Sequence, residues 1–137
     1  MLQAFRESPI ALILTSAMDS RFIEVNDTFE HMTGWRRGEV IGRTPYDIGI
    51  WVEPNQRSDI VQRLVSGETI RNVEVEIRTK NGEVQTNLGS EELIEINGEP
   101  CMFAVAADIT DLKRAERSDC GMRPSTKRHG PIAPMLA

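Results

Sequence analysis

The sequence predicts a single domain of the α+β class, with one five-stranded antiparallel sheet and short helices packed on one of its faces. Three observations predict it. Two short extended runs precede residue 26, helical signals fill most of residues 27–66, and the second half alternates apolar and polar residues as strands do. Strands and helices that occupy separate stretches of a chain favour an antiparallel sheet with its helices on one side. The length of 137 residues is typical of one domain.

The first half of the chain predicts a short amphipathic helix, a hairpin and a block of helices. Asn26 can cap a helix through its side-chain oxygen, and Gly34 can end that helix in the left-handed conformation. Pro54 suits the first turn of a longer helix, which Gly67 follows. The predicted elements are a helix at 1–7 with Leu2 and Phe5 on one face, strands at 10–15 and 21–25, a helix at 27–33, a helical turn at 36–40 and a helix from Pro54.

The second half predicts three long strands. Val73, Val75 and Ile77 alternate with polar residues, which is the pattern of a strand with one buried face. Asn-Gly pairs at 81–82 and 97–98 favour tight hairpin turns, and the almost continuous apolar run from 100 to 107 is typical of a central strand.

The chain after the last strand is expected to leave the sheet as a short helix. Thr110 can cap a helix that ends at Arg117. The predicted domain therefore covers residues 1–117. From Ser118 onward, Gly, Pro, Ser and basic residues predict a disordered tail over 118–137.

Composition and charge limit the functions and partners that the chain can have. Sixteen Lys and Arg stand against twenty-one Asp and Glu, giving a net charge of −5 with the two signs interspersed, so neither nucleic acid nor an anionic membrane surface is expected as a partner. The longest apolar run is too short to cross a bilayer, and the N-terminus lacks the pattern of a secretory signal. Cys101 and Cys120 form neither a disulfide framework nor a spaced metal site, so a reducing cytoplasm is the expected location.

Short motifs in a fixed order then connect the chain to a known family. Over roughly residues 3–116 it resembles the PAS domains of bacterial histidine kinases, cyclic-di-nucleotide enzymes and transcription regulators. Each motif is weak alone, and their order and intervals carry the resemblance. The motifs are Ser8-Pro-Ile, Val25-Asn26 with Phe29, Thr33-Gly34-Trp35, Glu39-Val-Ile-Gly42, Trp51 with Glu53-Pro54 and Arg57, Lys80-Asn-Gly82, and Asp108-Ile-Thr110.

The resemblance implies a sensory module that encloses a pocket for a small molecule and signals through its flanking helices. It also implies a homodimer and an output domain or partner of the kinase or cyclase type. The Asp108-Ile-Thr110 motif lies where the last strand meets the outgoing helix, so Asp108 and Thr110 are the candidate signal-relay residues. Thr110 can cap this helix, and Asp108 can accept a hydrogen bond from an Arg or Lys that fixes the angle of the helix.

Pocket candidates are the apolar side chains of the helices and of the inner sheet face. Most of them would be core residues even without a ligand, and alternation alone does not decide which face of the last strand points inward. The candidates are Val25, Phe29, Met32, Ile41, Trp51, Ile60, Leu64, Val75, Phe103 and Val105.

The usual cofactors and catalytic groups are not expected. Cysteine-adduct flavin chemistry needs a cysteine in the helical region, and residues 1–100 contain none. A non-covalently bound flavin stays open. Haem of the usual PAS type needs a histidine on the long helix, whereas His31 and His129 lie elsewhere. Glu91 and Glu92 are neighbours on a strand and so face opposite ways, which excludes an acid/base pair. We expect no enzymatic activity and no metal site, and the identity of any ligand stays open.

Two functions remain in competition. The first is a sensor that binds a small molecule in its pocket. The second is a ligand-free dimerisation and interaction domain with a filled core, in which the N-terminal segment with Leu2 and Phe5 supplies a partner surface. A cavity of several hundred cubic ångströms with converging polar groups would favour the first function.

Overall fold

The computed structural model describes the backbone of residues 2–122 and the side chains of residues 5–116. It contains one five-stranded sheet and five helices within these residues. The helices are α1 (Leu2–Glu7), α2 (Asp27–Thr33), α3 (Arg37–Val40), α4 (Pro54–Val65) and α5 (Thr110–Met122). The strands are β1 (Ala11–Ser16), β2 (Phe22–Val25), β3 (Ile70–Arg78), β4 (Val84–Ile96) and β5 (Glu99–Asp108).

The sheet is antiparallel with the strand order β2-β1-β5-β4-β3. The last strand in the sequence therefore lies at the centre, between β1 and β4, as its almost continuous apolar run predicts. The block of helices that follows β2 crosses from one edge of the sheet to the other, because β3 forms the opposite edge. The predicted α+β fold is confirmed.

Asn26 explains how the hairpin and α2 are joined. Its Oδ1 accepts hydrogen bonds from the backbone N–H of Phe29 at 3.1 Å and of Leu12 at 2.9 Å, and its Nδ2 donates to the carbonyl of Ile10 at 2.9 Å. One buried side chain thus caps α2 and holds it against β1. Gly34 ends this helix with φ of 80°, a left-handed conformation that glycine adopts without strain.

The hydrophobic core lies between the inner face of the sheet and the helices. Alternation along each strand sends one set of side chains into this layer. The buried apolar residues are Ala11, Phe22, Val25, Phe29, Val40, Ile50, Ile60, Leu64, Ile70, Val75, Ile77 and Met102. None of the described helices is long and apolar enough to cross a membrane.

One of the two predicted Asn-Gly turns differs from the sequence-based expectation. The Asn81-Gly82 pair does not form a two-residue turn, because five residues (79–83) separate β3 from β4. By contrast, Asn97 and Gly98 alone connect β4 to β5, with φ of 51° and 82°, as a two-residue turn of this type requires.

The helix α5 is also longer than expected. It continues to Met122, five residues beyond its predicted end at Arg117, because the Ser and Gly residues of this stretch lower helix propensity without preventing a helix. Residues 123–137 of the predicted tail, with His129, lie outside the described residues, as do the side chains of Leu2 and Cys120.

Candidate ligand-binding site

A cavity of about 100 Å³ lies between the inner face of the sheet and the helices. The helices α2 and α4 and the segment that connects α3 to α4 form its cover. Its apolar walls come from both layers. They include Ile13, Phe22, Phe29, Met32, Ile50, Trp51, Ile60, Val73, Val75 and Ile77.

The structure brings six of the ten predicted pocket residues together around this cavity. Five of them, Phe29, Met32, Trp51, Ile60 and Val75, lie on the inner side of the fold, whereas Val105 lines the cavity with its backbone because its side chain points to the outer face, as that of Phe103 does. Val25 and Leu64 are buried in the core but do not line the cavity, and Ile41 packs against the core from a partly exposed position. Burial and cavity lining are separate properties, and apolar patterning in a sequence reports only the first.

Phe103 was expected in the pocket and lies on the other face of the sheet. Its neighbour Met102 is fully buried in the core, and Ala104 lines the cavity. Because successive side chains of a strand point to opposite faces, Phe103 points away from the cavity. There it lies opposite Leu14 of β1 and Glu92 of β4.

A buried ion pair in the cavity wall was missed by the sequence analysis. Arg57 of α4 donates from Nη1 and Nη2 to the two carboxylate oxygens of Glu91 on β4, at 2.7 and 3.0 Å. The side chains are only 4% and 8% exposed. This bidentate geometry is the strongest arrangement of a guanidinium and a carboxylate.

The sequence did contain a signal for this pair. Arg57, Ile60 and Leu64 follow the spacing of one helix face, and the last two are apolar. Arg57 therefore had to point inward, where a charge needs a partner. Trp51 completes its surroundings, with the guanidinium carbon 5.7 Å from the centre of the ring.

Several polar atoms of the cavity wall have no hydrogen-bond partner in the described part of the chain. They are Oδ1 and Nδ2 of Asn87, Oγ1 of Thr15 and Nε of Arg57. Asn87 is 1% exposed and Thr15 is 2% exposed. Buried polar groups are nearly always hydrogen-bonded, so water or a ligand is the expected partner of these atoms.

The predicted relay residues form a junction between the sheet and α5. Asp108 Oδ1 accepts hydrogen bonds from the backbone N–H of Thr110 at 2.9 Å and from its hydroxyl at 2.5 Å. The hydroxyl of Thr110 in turn accepts from the N–H of Thr86 at 3.0 Å, and the Thr86 carbonyl accepts from the N–H of Ile109 at 2.9 Å.

The roles at this junction differ from those expected. Asp108 binds Thr110, two residues on, and not an Arg or Lys, since a short acidic side chain at a helix start reaches the nearby N–H groups. Thr110 ties α5 to β4 instead of capping the helix. Lys113 adds a second tie, because its Nζ lies 3.3 Å from Glu74 Oε2 on β3.

Two other chemistry-bearing groups, Cys101 and Glu92, lie outside the cavity lining. Cys101 is buried on β5, and burial raises the pKa of its thiol, which keeps it protonated. Glu91 is buried while Glu92 is exposed, as expected for neighbours on a strand. Within the described residues, no group of three or more His, Cys, Asp or Glu side chains is placed to hold a metal ion.

A five-stranded antiparallel sheet covered by short helices over a cavity defines a class of sensory α+β modules. The sequence model of the PAS domain matches residues 9–111, about three quarters of the chain. The chain therefore belongs to the PAS domain family. A search of curated proteins found no match.

Solved structures show the same fold. The PAS domain of an HTR-like protein from Haloarcula marismortui is 25% identical, with a TM-score of 0.65 over 79% of this chain and 88% of that chain. A domain of a sensory box sensor histidine kinase/response regulator from Geobacter sulfurreducens is 21% identical, with a TM-score of 0.64 over 78% and 90%.

A third structure is larger than this chain. It is an RNA-binding Light-Oxygen-Voltage receptor, 19% identical, with a TM-score of 0.71. The match covers 91% of this chain but only 36% of the receptor, so it compares one domain of a longer protein.

Proposed function

We propose that the chain is a sensory module that binds a small molecule in the cavity beneath α2 and α4 and passes the change to a partner through α5. The observation that carries this proposal is the pair of unpartnered amide atoms on Asn87. Leaving such a group unpaired in a protein interior costs about 1–3 kcal/mol. A ligand that bonds with it recovers this free energy, which makes the cavity a binding site with directional contacts.

The position of Asn87 supports a route from the cavity to α5. Asn87 follows Thr86, whose backbone N–H and carbonyl both bond with the start of α5, and it lies directly opposite Asp108 in the pairing of β4 with β5. A ligand that shifts Asn87 by a fraction of an ångström therefore acts on a strand segment bonded at both backbone groups to Ile109 and Thr110. The relay we propose consists of Asn87, Thr86, Asp108 and Thr110.

We further propose a cytoplasmic homodimer whose α5 connects to an output domain or partner. The shared fold of this chain and the domain of the Geobacter sulfurreducens sensor histidine kinase/response regulator supports a kinase output over the cyclic-di-nucleotide alternative. No catalytic role is proposed for this chain, because the buried carboxylate of the cavity wall, Glu91, is engaged by Arg57 on both oxygens.

A specific observation favours the second candidate, a ligand-free dimerisation and interaction domain. The cavity of about 100 Å³ is smaller than the 300–1,000 Å³ of typical ligand pockets. The outer face of the sheet also carries partly exposed apolar side chains that no described helix buries completely. These are Leu12, Leu14, Leu88, Ile94 and Phe103.

Mass spectrometry of small molecules released from the denatured protein distinguishes the two candidates. Ala104→Leu places a larger side chain in the cavity, and Ala107→Leu makes the same change on the same strand outside it. A compound retained at one equivalent by the wild type and by Ala107→Leu, and lost from Ala104→Leu, supports a sensor.

The opposite outcome is equally clear. If all three proteins release no compound, and a metabolite collection raises the Tm of none of them, the ligand-binding proposal is wrong. The dimerisation domain is then the better description. Thermal unfolding of each variant first establishes that both remain folded.

A further inference from the structure

The two Asn-Gly pairs of the chain, at 81–82 and 97–98, are open to a reaction that the proposed function does not use. The backbone nitrogen of a glycine can attack the side-chain carbonyl carbon of the asparagine before it, because glycine has no Cβ to crowd the approach. Asparagine is for this reason among the thermolabile residues of proteins. The surroundings of each pair decide whether it reacts.

Exposure does not distinguish the two pairs. All four residues are exposed, so water reaches both turns. The difference lies in the hydrogen bonds of the two groups that react, which are the N–H of the glycine and the carboxamide of the asparagine.

Both reacting groups of the pair at 81–82 are held by Thr79. The Gly82 N–H donates to the Thr79 carbonyl at 3.0 Å, and the Thr79 hydroxyl donates to Asn81 Oδ1 at 2.6 Å. Thr79 is itself fixed, since it is only 8% exposed and its N–H donates to the Glu83 carbonyl at 2.7 Å. This pair must therefore break two hydrogen bonds before it can react.

The reacting groups of the pair at 97–98 are free. In the part of the chain that the structure describes, no hydrogen bond engages the Asn97 carboxamide or the Gly98 N–H. The pairing of Ile96 with Glu99 holds this two-residue turn from its flanks and leaves both groups exposed to solvent. Attack by the glycine nitrogen costs no hydrogen bond here.

We infer that Asn97-Gly98 is a site of spontaneous deamidation, and that Thr79 protects Asn81-Gly82 from the same reaction. The Gly98 nitrogen gives up its proton and bonds to Cγ of Asn97, and the carboxamide C–N bond breaks to release ammonia. The five-membered imide that results then takes up one water. Opening at one carbonyl gives aspartate, and opening at the other gives isoaspartate, in which the main chain runs through the former side chain.

The modification changes the tip of the β4–β5 hairpin. Isoaspartate adds one carbon to the backbone of a turn whose two residues set the pairing of Ile96 with Glu99. Beyond this pair, the Pro100 carbonyl accepts from the Ala17 N–H at 3.1 Å, which ties the hairpin to the β1–β2 turn. The modified chain should therefore lose order from the turn towards Pro100. This inference does not depend on ligand binding.

Peptide mapping by mass spectrometry, after incubation of the full chain at neutral pH below its Tm, measures conversion at each asparagine. We expect Asn97 to convert at least about fivefold faster than Asn81 in the folded protein, the factor that two hydrogen bonds supply. In urea both pairs lose their contacts, so the two asparagines should convert at similar rates.

Variants assign the difference to Thr79. Thr79→Val removes the hydroxyl that holds Asn81 and should raise conversion at Asn81 towards that at Asn97. Thr69→Val, at an exposed position before β3, should leave both rates unchanged. If Thr79→Val fails to fold, the comparison of folded and urea-unfolded wild type still decides the question.

A third variant connects the reaction to the loss of order. Asn97→Gln lengthens the side chain by one carbon, so that attack would have to close a six-membered ring, and this protein should stay unmodified. We expect incubated wild type to show faster hydrogen exchange at Glu99 and Cys101, whereas Asn97→Gln incubated in the same way should not.

Equal conversion at Asn81 and Asn97 in the folded wild type, or faster conversion at Asn81, would overturn the inference. A preference for Asn97 that persists in urea would do so as well, because the neighbouring sequence would then set the rates. If urea-unfolded protein converts at both sites while folded protein converts at neither, the β4–β5 turn is itself protective and the inference is wrong. A preference for Asn97 that disappears in urea supports it.

Discussion

At the scale of single residues, Arg57 and Glu91 set the polarity of the interior. Two opposite charges at less than a tenth exposure lose most of their hydration, and their bidentate bond offsets this loss only while both are present. The pair also joins α4 to β4, the strand that carries Asn87. The effect of replacing one residue of the pair on the stability of the fold therefore depends strongly on whether the other residue is present.

Removing one member of the pair should destabilise the fold far more than removing both. Glu91→Leu leaves a guanidinium buried and unpaired, and we expect it to lower the free energy of unfolding by about 3–5 kcal/mol. The double variant Arg57→Met/Glu91→Leu should recover most of this loss. Urea unfolding of the wild type, both single variants and the double variant measures the coupling, and additive losses would contradict it.

The exposed pair of Glu24 and Arg37 predicts a dependence on pH. A hydrogen bond from Arg37 lowers the pKa of the Glu24 carboxyl below its ordinary value of 4.5. A carboxyl whose pKa is lower in the folded state stabilises the fold above the unfolded pKa, and this contribution is lost as the pH falls through the folded pKa.

The measurable consequence is a difference between wild type and Arg37→Gln that is present at neutral pH and shrinks as the pH falls below 4.5 towards the lowered folded pKa of Glu24. The effect should be small, because Arg37 is largely exposed to solvent. Urea midpoints across this pH range check it, with Arg43→Gln, at an exposed position, as a control. A constant difference at every pH would show that Arg37 stabilises the fold by packing alone.

Residue patterns in the sequence predicted the buried apolar residues better than the cavity. Phe29, Met32 and Ile60 were identifiable because helix spacing assigns them to an inward face. Phe103 was misplaced because a strand that is apolar on both faces has no alternation to read. Asn87 and Thr15 were missed, since nothing local marks a polar residue on an inner face until the strand register is known.

At the scale of elements, the two Asn-Gly pairs show what a local signal can decide. Asn97-Gly98 forms the turn it predicts, because Ile96 and Glu99 pair directly on either side. At 79–83, Thr79 holds a wider loop, with its N–H donating to the Glu83 carbonyl at 2.7 Å and its hydroxyl accepting from the Glu83 N–H at 3.1 Å. The side chain of Thr79, two residues before the Asn81-Gly82 pair, sets the length of this loop. A rule that considers only the Asn-Gly dipeptide does not take Thr79 into account.

The root of α5 offers a test at this scale. Thr110→Val keeps the side-chain shape but removes the acceptor for the Thr86 N–H, so we expect a loss of about 1 kcal/mol. Hydrogen exchange should become faster at Thr86 and over the first turn of α5, with little change in β1 or β2. Thr69→Val, at an exposed position before β3, is the control.

Binding measurements show whether the junction at Thr110 transmits a signal from the cavity to α5 or only anchors α5 to the sheet. If Thr110→Val binds a cavity ligand as the wild type does, and the ligand no longer changes exchange in α5, the junction transmits the signal. If the ligand still protects α5 in this variant, the route through Thr86 is wrong.

At the scale of the whole molecule, the two faces of the sheet serve different ends. The inner face packs against the helices and encloses the cavity. The outer face presents Leu12, Leu14, Leu88, Ile94 and Phe103, and none of these belongs to the buried core or packs against it. Contiguous apolar side chains on a surface mark an interaction site, and the strands β1 and β5 bring Leu14 and Phe103 side by side at its centre.

A single charge at this centre should therefore separate the proposed dimer without unfolding the domain. Phe103→Glu replaces an apolar contact with an anion that a second copy would have to bury without a partner, which disfavours association strongly. Light scattering coupled to size exclusion should give a dimer mass for the wild type and a monomer mass for the variant, with circular dichroism unchanged. Met18→Glu, at a highly exposed position of the β1–β2 turn, should remain dimeric. A monomeric wild type, or a Phe103→Glu protein that still dimerises, would place the signalling contact elsewhere and leave α5 as the remaining route to a partner.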